Sequence, residues 1–317
     1  MNKKILLLLI SSCYMEDVMA TDYFVDPQSS AALWVEKNKS DPRAEPINRN
    51  IAAVPTAIWL SSIQENEIEL TQQITSYISQ ANDQKTELMF VLYGLPNRDC
   101  SGQASADNST NKQKYQTWID MLANSIATTK VTIILEPDAL ADMSCLTQPQ
   151  RDERVNLINY AVSHFKAQSP NTHVYIDAGN MQWVAAKDMA QQLVSAGIKD
   201  AYGFSLNVSN YHATDPTIKY GNDINQYLTE QANIQSNMII DTSRNGNGSS
   251  GLPNDWCNSA GRKIGDKPKD ISATVNTAWI KPPGESDGDF SPSANCHDGP
   301  KAGIFSPDLA MKLIEGK

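Results

Sequence analysis

The chain alternates between short apolar runs and longer segments in which apolar residues recur at helical spacing. The runs are rich in β-branched and aliphatic residues, as buried strands are, and they recur at roughly 30 to 45 residues, the length of a βα unit. Strands are therefore predicted at 57–60, 88–93, 131–135, 174–176, 203–206, 238–240 and 278–280. Helices are predicted at 65–79, 112–127, 151–167, 185–196 and 307–314.

A strand followed by a helix, about seven times over, predicts an α/β protein with a parallel sheet rolled into a barrel of the TIM type. No shift in composition and no linker rich in proline or serine divides the chain, so one catalytic-sized domain is expected over 21–317. Three polar or irregular loops follow predicted strands, at 100–111, 244–251 and 281–300, and are expected at one barrel mouth.

The first twenty residues have the pattern of a signal peptide. Two lysines at 3–4 precede a short apolar core at 5–10, and Val18-Met19-Ala20 forms a small-residue cleavage site. We expect export, with cleavage after Ala20. An alternative stays open because Ile10-Ser11-Ser12-Cys13 resembles a bacterial lipobox, which would leave Cys13 lipidated and the protein anchored to a membrane.

Charge and cysteine content limit the kinds of partner, disulfide and metal site that this protein can have. The formal net charge of -10 and the pI near 4.9 argue against nucleic acid and anionic membranes as partners, since both require a basic surface. Apart from Cys13, the chain has four cysteines, which are Cys100, Cys145, Cys257 and Cys296. An even number suggests two disulfides but leaves three connectivities open. No CxxC motif or Cys/His cluster occurs, so neither a metal nor another cofactor is expected.

Acidic side chains follow most of the predicted strands. The run 131–135 ends in Glu136-Pro137-Asp138, and other runs are followed by Asp99, Asp177, Asp241, Glu285 and Asp287. The carboxyl ends of parallel strands form the rim where such proteins bind ligands. Crowded carboxylates repel one another, which keeps one of them protonated as the general acid that glycoside hydrolysis needs. The alternative is that these residues cap helices and close turns, and Asp241 is the first candidate for that role.

Tryptophans accompany these acids. Trp59 closes the first run, Trp183 follows Asp177, and Trp256 precedes Cys257. An indole face stacks on a pyranose ring while carboxylates and amides bind its hydroxyl groups, so the combination indicates a sugar ligand. For Trp59, a place in the core is the alternative. The four histidines do not follow strands in a suitable register, which disfavours a Ser-His-Asp hydrolase, and no Gly-rich fingerprint indicates a dinucleotide enzyme.

Four motifs carry a family resemblance. They are YGLPNRDC at 93–100, LEPDAL at 135–140, YIDAG at 175–179 and WIKPPGESDG at 279–288. In this order they resemble glycoside hydrolase family 6, the β-1,4-glucanases that include cellobiohydrolases and bacterial endoglucanases. The resemblance extends from about residue 23 to the C-terminus and implies a distorted, seven-stranded parallel β/α barrel that hydrolyses with inversion at the anomeric carbon.

The resemblance also implies catalytic roles. Asp138 matches the general acid. Asp99 matches the second acid, which keeps Asp138 protonated and accepts a proton from the attacking water through a water chain. Tyr93 matches a tyrosine that crowds the distorted sugar, and Ser105 matches a serine that helps to hold the water. Asp287 matches an acid once proposed as the direct base.

Supporting residues follow from the same resemblance. Arg98 and Lys281 are expected to pair with Asp287, which argues against its acting as the base, and Asp177 matches a cleft acid with an electrostatic or structural role. Asn180 stands where many members have histidine. The expected sugar-binding residues are Trp59, Trp183, Trp256, Asn180, Asn210, Lys281 and Glu285. The expected disulfides are Cys100–Cys145 and Cys257–Cys296.

Loop lengths favour cutting within the glucan chain. The loop at 141–148 and the return at 287–305 are short, and 240–248 resembles the bacterial endoglucanases, so an open cleft is expected. We therefore expect a secreted, monomeric endo-β-1,4-glucanase that acts on cellulose, a related β-glucan or cello-oligosaccharides. A cellobiohydrolase of the same family and a catalytically silent glucan-binding protein are the alternatives.

Overall fold

The computed structural model describes residues 22–61, 66–98, 100, 111–291 and 294–317. In this part of the chain the strands form one sheet in the order β1-β2-β3-β4-β5-β6-β8-β7, and only β7 runs antiparallel to its neighbour. The strands are β1 (Ile58–Leu60), β2 (Leu88–Leu92), β3 (Val131–Leu135), β4 (His173–Asp177), β5 (Gly203–Leu206), β6 (Asn237–Asp241), β7 (Lys269–Ser272) and β8 (Val275–Ala278).

Helices follow most of the parallel strands. They are α1 (Ser30–Lys37), α2 (Ala44–Ile47), α3 (Glu67–Gln84), α4 (Lys112–Ile126), α5 (Gln148–Gln168), α6 (Ala186–Ser195), α7 (Thr214–Ala232) and α8 (Pro307–Glu315), with a π-helix at Asn48–Ala52 and a 3-10 turn at Ile198–Asp200. All five predicted helices are present, and α1, α2 and α7 are additional.

Each predicted apolar run contains or adjoins one parallel strand, and together these strands confirm the distorted seven-stranded parallel barrel. The last strand begins before its predicted start and ends at Ala278. Strand β7 is an addition that sequence reasoning missed, because its residues are polar and largely exposed. At the seam of the barrel β1 and β8 do not form a ladder, although the Ala57 amide donates to the Trp279 carbonyl at 2.9 Å.

The barrel has two apolar layers because side chains alternate along each strand. Phe90 and Leu92 of β2 pack outward against helical residues such as Trp118. Met89 and Val91 point the other way, into a cluster formed inside the sheet with Ile134, Tyr175, Ile239 and Ile280. Burial on both faces explains why β2 is apolar throughout and β3 is apolar except for the buried Thr132.

Loops from the carboxyl ends of the strands meet at one mouth, and two disulfides tie them together. Cys100–Cys145 joins the loops after β2 and β3, and Cys257–Cys296 joins the loops after β6 and β8, so the expected pairing is confirmed. Among the described residues, no helix combines the length and apolarity needed to cross a bilayer. The signal peptide at 1–20 and Cys13 lie outside the described residues, so their processing stays a prediction.

Candidate active site

The turn after β3 holds two residues in an unusual backbone conformation. Glu136 and Asp138, on either side of Pro137, have φ angles of 53° and 70° in the left-handed region, which non-glycine residues rarely adopt. The Asp138 amide donates to Asp177 Oδ2 at 2.9 Å. The Asp138 side chain is partly exposed at the mouth, while Glu136 is buried. The turn therefore leaves one carboxyl group partly exposed and turns the other inward.

Glu136 anchors the neighbouring loop. Its carboxylate accepts hydrogen bonds from the amides of Gly94, at 3.0 Å from each oxygen, and of Leu95, at 3.2 Å. Burial raises the pKa of Glu136 to about 7, although these amides and the charge of Arg98 oppose the shift. Because this pKa lies above the ordinary value of 4.5, the group stabilises the fold fully below pH 4.5, and the contribution is lost as the pH rises through about 7.

Sequence reasoning placed Glu136 in a motif but did not identify this anchoring contact. The feature of the sequence that could have indicated this contact is the position of Glu136, two residues before Asp138 at the end of a buried strand.

Asp177 lies at the end of β4 and is also buried. Besides the Asp138 amide, it accepts hydrogen bonds from the Gly179 amide at 2.9 Å and from Ser205 Oγ at 2.8 Å. Burial raises the pKa of Asp177 to about 6, against the effect of these donors. The position suits a carboxyl group that shapes the β3 turn rather than one that touches a ligand.

Tyr93 follows β2 and packs among charged and aromatic groups. The Arg98 guanidinium lies 4.6 Å from the centre of the Tyr93 ring, and Trp59 meets the same ring edge-on at 5.7 Å. Tyr93 and Arg98 are both mostly buried. Asp99 and Ser105, predicted as the second acid and the water-holding serine, lie outside the described residues.

Asp287 is enclosed by donors, and its main partner differs from the predicted one. Arg244 Nη1 lies 2.8 Å from Asp287 Oδ2, and Lys281 Nζ lies 3.5 Å from Oδ1. The expected pairing with Lys281 is thus found, but the expected pairing with Arg98 is wrong, because Arg98 stacks on Tyr93 and Arg244 reaches Asp287 from the loop after β6.

Two further donors complete the surroundings of Asp287. The Tyr211 hydroxyl lies 3.1 Å and the Asn258 amide 3.0 Å from Oδ2. Burial alone would raise the pKa of Asp287, but the charges of Arg244 and Lys281 outweigh it and hold the pKa below its ordinary value. The ionised carboxylate therefore contributes stability above the ordinary pKa, and this is lost as the pH falls through the lowered value.

Asp241 closes turns, as the alternative reading of the strand-end acids anticipated. It is fully buried at the end of β6, and its carboxylate accepts hydrogen bonds from the amides of Ser209, Ser243, Ile280 and Lys281. It thereby joins the loops after β5, β6 and β8. Nothing about this position suggests contact with a ligand.

The expected sugar-binding tryptophans differ in exposure. Trp183 keeps 43% of its surface exposed, while Trp59 and Trp256 are partly buried. Trp59 Nε1 donates to the Ile280 carbonyl at 2.8 Å, and Lys281 Nζ lies 5.9 Å from its ring centre. A cavity of about 190 Å³ opens beside Trp59 and Glu285. Trp59 thus borders open space on one side and packs against the inner apolar cluster of the barrel on the other.

The polar residues expected to bind sugar lie on the loops of the same mouth. Glu285 accepts a hydrogen bond from Ser30 Oγ at 2.7 Å. Asn180 is largely buried, and its Oδ1 accepts the Gln182 amide at 3.0 Å. Asn210 Nδ2 donates to the Val208 carbonyl at 3.2 Å. Each side chain is thus oriented by contacts within its own loop or with α1, and their contacts with sugar stay predictions.

Comparisons with known proteins agree with this geometry. The family model described as Glycosyl hydrolases family 6 matches residues 17–317. Endoglucanase 1 of Streptomyces halstedii is 40% identical over 300 residues, which are 94% of this chain and 90% of that protein. Exoglucanase 2 of Hypocrea jecorina is 29% identical in an alignment 288 residues long that covers 77% of this chain and 60% of that protein.

A solved structure gives the same result for the fold. The endoglucanase Cel6 from Mycobacterium tuberculosis, in complex with methyl-cellobiosyl-4-deoxy-4-thio-β-D-cellobioside, superimposes with a TM-score of 0.82 at 34% identity, covering 93% of this chain and 97% of that one. Since the family model covers nearly the whole sequence and the barrel agrees with that of a member, the chain belongs to glycosyl hydrolases family 6.

Proposed function

We propose that this protein is a secreted endo-β-1,4-glucanase that hydrolyses cellulose or a related β-glucan within the chain, with inversion of anomeric configuration. The observation that carries the proposal is the turn at 136–138, in which the Asp138 side chain is partly exposed among the mouth loops while its own amide is fixed by Asp177 at 2.9 Å. A general acid must be held within hydrogen-bond reach of the leaving oxygen, and a fixed turn meets that need.

In this mechanism Asp138 donates a proton to the departing sugar. Water attacks the opposite face of the anomeric carbon, so a β-linkage yields an α-product. Asp99 accepts a proton from that water through a water chain and, as a neighbouring anion, keeps Asp138 protonated. Ser105 helps to hold the water, and Tyr93 crowds the distorted sugar.

Asp287 is assigned an electrostatic role and not that of the base. A base needs an accessible lone pair and a pKa close to the working pH. The carboxylate of Asp287 instead accepts contacts from Arg244, Tyr211 and Asn258, and its pKa is lowered. It is therefore a weak and occupied base.

The sugar chain is placed along Trp59, Trp183 and Trp256, whose ring faces suit the apolar faces of glucose units. Lys281 and Glu285 beside Trp59, together with Asn180 and Asn210, supply hydrogen-bonding groups for the hydroxyl rim. The ligand in the Mycobacterium tuberculosis relative is a cello-oligosaccharide analogue, which supports a β-1,4-glucan as the substrate.

Cutting within the chain is favoured over cutting at its ends. The relatives at 40% and 34% identity are endoglucanases, whereas the Hypocrea exoglucanase is 29% identical. The exposed face of Trp183 is consistent with an open cleft. A cellobiohydrolase is the second candidate. Export by the 1–20 signal peptide is supported by the two disulfides, which form in oxidising compartments, and we propose that the enzyme acts as a monomer.

The test follows viscosity and reducing ends together on carboxymethylcellulose, for the wild type, Asp138→Ala and Asp188→Ala. Asp188 is an exposed acid on α6 and serves as the matched control. We expect the wild type to reduce viscosity early and the control to match it. The rate of hydrolysis by Asp138→Ala should be lower by about 10²- to 10⁴-fold.

Three results decide the outcome. No release of reducing ends by the wild type, or undiminished release by Asp138→Ala, contradicts the proposed reaction. Reducing ends that accumulate while viscosity persists favour the cellobiohydrolase instead.

A further inference from the structure

Arg154 on α5 is a charged residue buried outside the catalytic cleft. Only 2% of its surface is exposed, and α5 packs on the outer side of the sheet. Its Nη1 donates to the carbonyls of Ala139 at 2.9 Å and Asp142 at 2.6 Å, and its Nη2 donates to the carbonyl of Asn97. One guanidinium thus joins backbone from two separate mouth loops.

These are the loops that carry the two proposed catalytic acids. Asn97 stands two residues before Asp99 in the sequence, and Ala139 directly follows Asp138. The Asp142 amide donates to the Asp138 carbonyl at 2.7 Å, which links the second attachment point of Arg154 to the acid itself.

Asp142 adds a second connection between the same loops. Its Oδ2 accepts the Cys100 amide at 2.8 Å, and Cys100 forms the disulfide with Cys145. We call the contacts of Arg154 with Asn97, Ala139 and Asp142 the loop clamp. Asn97 and Cys100, which stand on either side of residue 99 in the sequence, are thus both attached to the β3 loop.

The chemistry of arginine suits this position. A guanidinium presents its donors in a rigid planar fork, so it fixes the relative positions of several carbonyls, and its charge strengthens each hydrogen bond. Lysine carries the same charge on a flexible stem without the fork, and it holds fewer acceptors in defined places.

We propose that Arg154 is a positioning residue, which sets the spacing between the Asn97 backbone and the 138–142 segment and thereby fixes the turn that carries Asp138. The inference rests on the proposed function, since it assigns a purpose to the fixed position of Asp138, the proposed general acid. Arg154 acts from behind the loops and is not expected to touch the glucan.

The test compares Arg154→Met, Arg154→Lys and the matched control Arg151→Met, using a soluble cello-oligosaccharide. Arg151 lies about one turn earlier on α5, and among the described residues its side chain donates to the Leu146 carbonyl, at 3.0 Å, outside both acid-bearing segments. A displacement of about 1 Å in a catalytic group can lower the rate about 100-fold, so we expect kcat to fall about 30- to 100-fold in Arg154→Met. KM should change less than about threefold, because the sugar platforms are untouched.

Arg154→Lys should recover part of kcat, and Arg151→Met should stay within about twofold of the wild type. Urea unfolding of each variant establishes that it is folded under the assay conditions. If Arg154→Met unfolds there, Arg154→Lys decides alone, with an expected loss in kcat of about fivefold or more.

The proposal is overturned if the folded Arg154 variants keep kcat within twofold of the wild type, or if KM rises as much as kcat falls. It is also overturned if Arg151→Met loses as much as Arg154→Met. These outcomes differ from a failure of the proposed function, in which the wild type itself releases no reducing ends or Asp138→Ala retains full activity.

Discussion

The buried ion pair between Arg244 and Asp287 allows the electrostatics of the mouth to be tested quantitatively. Its nearest atoms lie 2.8 Å apart, and the two side chains keep only 3% and 6% of their surface exposed. We predict that Arg244→Met lowers the free energy of unfolding, because it leaves a buried carboxylate with Lys281 at 3.5 Å as its remaining cation within 4 Å among the described residues.

The magnitude follows from the geometry. Opposite charges centred about 4 Å apart attract by about 4 kcal/mol at an effective dielectric constant near 20. Removing one partner of a buried pair generally costs about 3–5 kcal/mol, since the other charge stays buried. Lys281, Tyr211 and the Asn258 amide still contact Asp287, so we expect the lower end of this range, about 3 kcal/mol.

The assay is a double-mutant cycle read by urea unfolding at pH 7. The cycle consists of Arg244→Met, Asp287→Asn and the double variant, and it isolates the coupling energy between Arg244 and Asp287. The contacts of Arg244 with Tyr211 and Ser209 are lost whenever Arg244 is replaced, with or without Asp287, so their contribution cancels. We expect a coupling of about 2–3 kcal/mol. A parallel cycle with Arg98→Met should give less than about 0.5 kcal/mol, since no ion pair within 4 Å joins Arg98 to Asp287.

The reasoning is refuted if the Arg244 cycle gives a coupling below about 0.5 kcal/mol, or if the Arg98 cycle gives the larger value. The first result would mean that Arg244 does not balance the charge on Asp287, and the second that the loop after β2 does so.

Three further predictions concern the mouth. Asp177→Asn should lower kcat on carboxymethylcellulose about 10- to 100-fold with KM nearly unchanged, because an amide holds the Asp138 backbone less firmly; equal kcat would contradict this role. Trp183→Ala should raise KM without changing the free energy of unfolding, measured in urea, by more than about 0.5 kcal/mol, because the residue is 43% exposed. Glu136→Gln should reduce the loss of stability that the wild type undergoes between pH 5 and pH 8, measured by urea unfolding at both values, whereas an unchanged slope would exclude Glu136 as its source.

The strands that sequence reasoning found are those buried on both faces. Runs such as β3 stand out because every residue is apolar or small enough to be buried. Strand β7 was missed because an edge strand with exposed polar side chains carries no such pattern. Helix α7 was missed because Gly221 and many polar residues interrupt its buried positions at Tyr220, Ile224 and Leu228.

The sequence predicts which residues lie at the strand ends around the candidate site, but not which side chains contact one another there. A strand followed by an acid places Asp138 and Asp177 on one rim. Of the two predicted partners of Asp287, Lys281 was found, but Arg244 was missed and Arg98 was named in its place, because the approach of Arg244 depends on how the loop after β6 folds back. The reach of Arg154 to the Asn97 carbonyl is likewise fixed by packing between loops distant in sequence.

The central claim is that Asp138 protonates the departing sugar while water attacks the opposite face. Proton NMR of cellotetraose hydrolysis, recorded before the products mutarotate, measures this outcome directly at the anomeric carbon. The account predicts that the α-anomer of the new reducing end appears first and then relaxes towards equilibrium. If the β-anomer appears first, hydrolysis retains configuration, and the assignment of these acids is contradicted.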